Sequence, residues 1–184
     1  NARRAVRDAL NACAVVSVRD RPGYRRLEDV GVTREIHLTA DPALLIRPEP
    51  LPLAAVEAEG IELERHLIGF SVREPGPAAP DIDPDDYYAL LANAADYAIE
   101  RLDADIVFVP METTDVQHGH GFVARMQAAG HGGVLRREYS ARQILGLVGL
   151  FDLAVGMRVH FLIFAALRGT AFAALPYASK VTGL

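Results

Sequence analysis

The sequence predicts a doubly wound α/β fold with a mostly parallel sheet of about six or seven strands, and three observations carry that expectation. Short apolar runs alternate with helical patterns from end to end. The runs are continuous rather than polar-alternating, as expected of strands buried on both faces. Most are separated by helices or long crossovers, which parallel pairing requires.

The first strand is expected over residues 12–18, a run of small and β-branched residues that would bury Cys13. Residues 21–30 suit a short helix with Pro22 in its first turn. A second strand, 35–39, ends at Ala40-Asp41-Pro42. The proline-rich stretch 42–60 reads as loop, with a weak helical pattern over 53–59. A third strand, 66–72, runs into the loop 75–80.

The strongest helix signal follows. Asp83 is the expected N-cap, Pro84 the first helical residue, and Asp85 and Asp86 suit the positive end of the helix dipole. Tyr88, Leu91, Ala92, Ala95, Ile99 and Leu102 recur at helical spacing as a buried stripe. A strand over 105–109 comes next, then a loop to about Gly121 and a helix near 122–129. A short strand is expected at 133–135. Ser140 and Gln143 form a capping-box pattern opening a helix that buries Ile144, Leu147, Val148 and Phe151. A strand at 153–156, a helix at 160–167 and a last strand at 171–175 complete the chain.

Composition narrows the function. A formal net charge of −5 argues against general nucleic-acid binding. Every one of the 19 basic residues except Lys180 is arginine. A single cysteine excludes an internal disulfide framework and a cysteine-based zinc cluster. The most apolar stretch, 144–177, is cut by Asp152, Arg158 and Arg168 into pieces of nine residues or fewer. A membrane span needs about 20. No export signal opens the sequence, so a cytoplasmic location is expected. Residues 3–184 read as one Rossmann-like domain, with Asn1-Ala2 resembling a cleavage scar.

In such sheets ligands sit beyond the carboxyl ends of the strands, which selects the residues that just follow each apolar run. These include Ser17, Arg19 and Asp20; Thr39 and Asp41; Ser71, Arg73 and Glu74; Met111 and Glu112; Gly156, Met157, Arg158 and His160; and Tyr177, Ser179 and Lys180. Arg19, Arg73, Arg158 and Lys180 would give an acidic protein a local site for a small anion. Gly156-Met157-Arg158-Val159-His160 carries most weight. It closes a buried strand and opens a helix whose backbone N–H groups favour an anion, with His160 able to exchange a proton near neutral pH.

The other histidines read as structural or solvated. His118-Gly119-His120, with Asp115 and His131, superficially resembles a metal cluster, but nothing in a glycine-rich loop would fix ligand geometry. No metal site is therefore expected. His37 and His66 fall in strands as core or edge residues, and the acidic 81–86 segment is explained by helix capping. Dinucleotide, P-loop and hydrolase motifs do not occur.

The strand-end segments resemble the polysaccharide pyruvyl transferase family. They are Ser17-Val18-Arg19-Asp20, Thr39-Ala40-Asp41-Pro42-Ala43, Gly69-Phe70-Ser71-Val72-Arg73 and Phe108-Val109-Pro110-Met111. The closing part adds Tyr139-Ser140, Asp152 to His160, Leu162 to Ala166, Ala174-Leu175-Pro176-Tyr177 and Lys180-Val181. Val159 stands where the family often has Leu, and Ala178-Ser179 where it usually has Asp-Pro.

The resemblance implies that the chain is the C-terminal Rossmann-like half of a GT-B-like enzyme, whose N-terminal half would line the other wall of a cleft. It implies transfer of the enolpyruvyl carbons of phosphoenolpyruvate onto two hydroxyls of a glycan acceptor, forming a ketal and releasing phosphate, without a further cofactor. Arg158 and His160 resemble the family's donor-binding pair, and Arg19 a second basic residue facing the donor. Gly156 and Lys180 join that donor set, with Arg73, Ser71, Asp41 and Tyr177 as further candidates. His160 is the candidate general acid or base.

A nucleotide-sugar glycosyltransferase of the same architecture and a non-catalytic anion-binding module are the competing readings. Truncation would expose apolar surface and favour a homo-oligomer. A lipid-carried acceptor would place the enzyme at the inner face of a membrane.

Overall fold

A computed structural model describes residues 2–74 and 81–175. The chain, expected as one domain, divides into two compact units, Asn1–Ile46 and Arg47–Leu184. The seven expected strands are present, distributed between a two-stranded and a five-stranded sheet, both parallel.

The first unit opens with helix α1, Ala2–Asn11, followed by strand β1, Val16–Val18. The start of the expected 12–18 strand is thus a turn. Cys13 is exposed there rather than buried, its thiol donating to the Ala9 carbonyl at 3.4 Å. Helix α2 spans Arg21–Val30, within the expected bounds. Asp20 caps it by accepting from the Gly23 N–H at 2.6 Å, and Gly31 ends it in the left-handed region at φ 87°. Strand β2, Ile36–Leu38, pairs with β1, and a 3₁₀ turn over Pro42–Leu45 follows. Asp41 caps that turn through the Ala43 N–H at 2.9 Å.

The second unit starts with helix α3, Leu53–Ala58, and strand β3, His66–Ser71. Next come α4, Pro84–Leu102; β4, Ala104–Phe108; α5, Asp115–Val123; and β5, Gly132–Val134. Helix α6, Ala141–Val148; β6, Leu153–Gly156; α7, Val159–Arg168; and β7, Ala171–Ala174, complete it. The strands lie in the order β5-β4-β3-β6-β7. Ile68 and Phe70 of β3 join the core built with Leu91, Ala92 and Ala95 of α4 and Phe122 of α5. Gly69, pointing the other way, lies under the rings of Phe151 and Phe161, beside α6 and α7. Both faces of the sheet are therefore covered at its centre, as the apolar central strands require, whereas the edge strand β7 is exposed along its length.

Two further details differ from expectation. In α4 the buried tyrosine is Tyr87, while Tyr88 is half-buried and Leu102 is exposed, so the helix phase is shifted at its two ends. Helix α5 covers Asp115–Val123, where a loop to about Gly121 and then a helix near 122–129 are expected; residues 124–128 are turn and loop instead. Gly119 within it is required by contact: a Cβ there would come within 2.6 Å of the Phe108 ring. Gly119, read as loop, is what lets α5 close on β4. Among the described residues, no helix is long and apolar enough to cross a membrane.

Candidate active site

Strand order sets the place. From β3 the chain moves to β4 and β5 on one side, then returns to lay β6 and β7 on the other. The carboxyl ends of β3 and β6 therefore flank the switch point where doubly wound sheets hold ligands. Ser71 ends β3 fully buried and opposite Gly156 in β6. Its hydroxyl donates to the Val109 carbonyl at 2.8 Å, and its carbonyl accepts from the Met157 N–H at 2.9 Å. Ser71 thus ties three strand ends together. Gly156 admits the first turn of α7, since a Cβ there would lie 2.9 Å from the Phe161 ring.

Arg158 follows immediately and is buried. Its Nε donates to Asp115 Oδ2 at 3.0 Å, and its Nη2 donates to Asp115 Oδ1. Asp115, at the start of α5, is fully buried, and its Oδ2 also accepts the N–H groups of Met111 and Glu112, each at 3.1 Å. This two-point carboxylate grip fixes the guanidinium plane. The remaining nitrogen, Nη1, donates at 2.7 Å to Glu112, whose side chain is 62% exposed. One edge of Arg158 is thus locked inward and the other faces a solvent-reaching carboxylate. Two residues on, His160 is exposed in the first turn of α7.

A second cluster sits beside this one. The Arg73 guanidinium pairs with Glu74, whose carboxyl is held below the usual range by that hydrogen bond, against the opposing effect of burial. The Tyr87 hydroxyl donates to the Arg73 carbonyl at 2.6 Å and lies 3.3 Å from Met157 Sδ. Burial pushes the Tyr87 phenol upward. The neighbouring Tyr88 hydroxyl meets His118 Nδ1, and His118 Nε2 lies 3.7 Å from Glu74. The Arg125 guanidinium covers the Tyr88 ring at 5.3 Å and pairs with Asp85. Desolvation, then the Glu74 charge, raises the Tyr88 phenol.

Along the same edge, beyond β4 and β5, a cavity of about 380 Å³ is lined by Met111, Glu112, Arg136, Arg137 and Tyr139. Its wall is held by buried Glu59, which accepts the Arg136 N–H at 2.8 Å, the Arg137 N–H at 3.2 Å and the Tyr139 hydroxyl at 2.7 Å. Burial first, and then Glu59, pushes Tyr139 up to about 12.

Of the residues singled out in the sequence, Ser71, Arg73, Gly156, Arg158 and His160 share this carboxyl edge. Arg19 and Asp41 belong to the first unit, where they pair at 2.6 Å. Tyr177 and Lys180 lie outside the described residues. Sequence reasoning missed Asp115 as the partner of Arg158, Glu59 as the anchor of the β5–α6 connection, and the Tyr88–His118–Glu74 chain. Reading 115–123 as a helix would have placed Asp115 and His118 on one face. Among the described residues, no group of three or more histidines, cysteines or carboxylates could hold a metal ion.

A family model described as polysaccharide pyruvyl transferase matches residues 1–179. No curated protein matches significantly. Among solved structures, the chain is similar to the ADP-heptose LPS heptosyltransferase II of E. coli, with a TM-score of 0.53 and 20% identity over 76% of this chain. It is also similar to a family 9 glycosyl transferase of Veillonella parvula, with a TM-score of 0.53 and 18% identity over 82% of this chain. It spans 39% and 40% of those chains respectively. The shared feature is the fold, the Rossmann-like part of a GT-B-like glycosyltransferase.

Proposed function

The chain belongs to the polysaccharide pyruvyl transferase family, a transferase family acting on glycans, and from that premise we propose that it moves the enolpyruvyl group of phosphoenolpyruvate onto a sugar diol. The product is a ketal of a cell-surface or exopolysaccharide precursor, and phosphate is released. In this reading the chain is the C-terminal half of a cytoplasmic two-domain enzyme, and an N-terminal half supplies the other wall and most acceptor contacts. The donor is a substrate, and no resident cofactor is invoked.

The observation that carries the proposal is the half-locked Arg158 at the β3/β6 switch point. A donor with a carboxylate and a phosphate close together needs a fixed cation that can still accept an incoming anion. Asp115 supplies the fixing, and Glu112, mostly in solvent, occupies the edge the anion would take. Departure of Glu112 would hand Nη1 to the donor, beside the N–H groups opening α7. His160, in that same turn, is the candidate acid for the methylene carbon. Positive charge there also stabilises the departing phosphate. Arg19, Asp41, Tyr177 and Lys180 enter this reading as donor candidates on the family resemblance alone. Ser71 holds the strand ends and Arg73 the neighbouring wall.

The test is phosphate release from phosphoenolpyruvate by the full-length protein with candidate acceptor glycans. Arg158→Ala should weaken donor binding at least tenfold, and His160→Ala should lower turnover by about 10²-fold, the scale of acid–base catalysis. Normal release by both variants would overturn the site assignment. The fold likeness to heptosyltransferases keeps a nucleotide sugar as the competing donor. A rise in melting midpoint with uridine-diphosphate sugars, and none with phosphoenolpyruvate, would favour it. No response or turnover with either donor would favour a non-catalytic module.

A further inference from the structure

Ketal formation moves protons at two places. The methylene carbon gains one, and the attacking sugar hydroxyl loses one. His160 is assigned to the first, which leaves the second without a group. We propose that Tyr88, His118 and Glu74 form the base that deprotonates the acceptor hydroxyl, with Tyr88 as the group that touches it. The proposal rests on the pyruvyl-transfer reading and adds the acceptor side of the chemistry to it.

Three observations support it. The order of contacts is that of a hydroxyl, an imidazole and an orienting carboxylate. The Tyr88 hydroxyl meets His118 Nδ1, while Nε2 faces Glu74 at 3.7 Å. Glu74 is itself fixed by Arg73 and kept ionised by it, so it favours a proton on Nε2 and leaves Nδ1 to accept. Finally, His118 stands one turn after Asp115 on α5, a spacing of about 5–6 Å between Cβ atoms. The chain therefore opens beside the Arg158 clamp rather than elsewhere on the surface. Tyr88 and His118 are both part-buried, so each keeps one side reachable.

The proton balance closes. The sugar O–H proton passes to the Tyr88 oxygen as the phenol's own proton passes to Nδ1, so tyrosine ends as the phenol it began as. The raised Tyr88 value suits a group that never rests as phenolate. The sugar oxygen forms its bond to the ketal carbon while His160 delivers a proton to the methylene carbon. The second hydroxyl then displaces phosphate, which leaves with that hydroxyl's proton. Solvent exchange returns His118 and His160 to their starting states.

The groups facing His118 are Tyr88 from α4, Glu74 with Arg73 after β3, and Asp115 on its own helix; Arg125 and Asp85 act on it through Tyr88. A base must be neutral, so the acidic limb of the rate profile should depend on His118.

The experiment measures acceptor-dependent phosphate release and phosphoenolpyruvate binding in the full-length protein, comparing wild type, Tyr88→Phe, His118→Gln and the double variant. Each single variant should lose about 10²-fold in turnover with donor affinity within twofold. The acidic limb of the rate profile should flatten in His118→Gln. The double variant should be no slower than the worse single one, as expected of residues acting as a unit. Turnover within threefold of wild type in either single variant, an unchanged acidic limb, or additive losses would overturn the relay. Wild-type protein without phosphoenolpyruvate-dependent release would overturn the underlying reading as well, which separates the two failures.

Discussion

At the amino end of the five-stranded sheet, Arg65 reaches Asp103 at 2.7 Å and Asp105 at 2.8 Å, His131 meets Asp105 at 2.9 Å, and His66 meets Asp152 at 3.2 Å. At the carboxyl end Arg158 is gripped by Asp115 and touched by Glu112, and Arg73, Glu74, His118 and Tyr88 form a chain. The counts of charges are similar, but their solvation is not. Asp103 is 83% exposed, whereas Asp115 is 0% exposed. Water shares the field of Asp103 and of the His66–Asp152 pair, so these hold connections at small net gain, while Asp105 is the more enclosed amino-end partner. The carboxyl-end pair sits where water cannot compensate a lone charge, so its geometry is enforced. One sheet therefore has a stitched end and a primed end, and only the second can present a cation at a fixed angle.

The sharpest way to break this contrast is to remove one carboxylate from each end. Asp115→Asn leaves the Arg158 charge buried without its partner and should cost about 3–5 kcal/mol, the scale for breaking a buried pair. Asp103→Asn should cost about 0–1 kcal/mol. Denaturant melts of both variants read the difference directly. Because most of that cost is the stranded charge, removing it as well, with Asp115→Asn combined with Arg158→Met, should recover much of the loss. Equal losses from Asp115→Asn and Asp103→Asn would erase the contrast.

Glu112 offers a subtler test, since it is the solvent-reaching member of the buried end. Its bond to Arg158 resembles a surface pair worth up to about 1 kcal/mol. Glu112→Gln should leave stability nearly unchanged and tighten phosphoenolpyruvate binding by up to about fivefold, because the anion no longer displaces a carboxylate. Calorimetric titration of the full-length protein measures this, and weakened donor binding would reverse the role assigned to Glu112.

What could be foreseen of these ends follows from the range of the interactions. Local chemistry was legible. Asp83 with Pro84 starts α4 as expected, Ser140 and Gln143 complete both halves of the capping box, and β6 has its expected bounds. The strand-end rule also collected Ser71, Arg73, Glu74, Glu112, Gly156, Arg158 and His160 without knowledge of strand order. Helix α1 escaped because its apolar positions, Ala2, Ala5, Val6, Ala9 and Leu10, are mostly small, lie among three arginines and are not buried. Helix α5 escaped because Gly119 answers to Phe108, a neighbour supplied by the tertiary fold. With α5 unread, Asp115 had no face, and its bond to Arg158 across 43 residues was invisible. Contacts over such separations are set by sheet order, which no local pattern encodes.

The smallest expected effect lies at the amino end and is a matter of pH. Asp152 accepts the Leu67 N–H at 3.0 Å, and chiefly for that reason, with His66 adding to it, its carboxyl is held below the usual range. A carboxylate whose folded value is depressed contributes stability that is complete above its unfolded value, about 3.9. That contribution is lost as pH falls through the lower folded value. Asp152→Asn should therefore be slightly less stable than wild type at pH 6, by a few tenths of a kcal/mol given the exposure of the pair. The two proteins should converge as the pH falls below the unfolded value and through the lower folded one. Melts across that window distinguish a stitched end, whose small gain titrates away, from one held by apolar contact alone, where the gap between the two proteins would not change with pH.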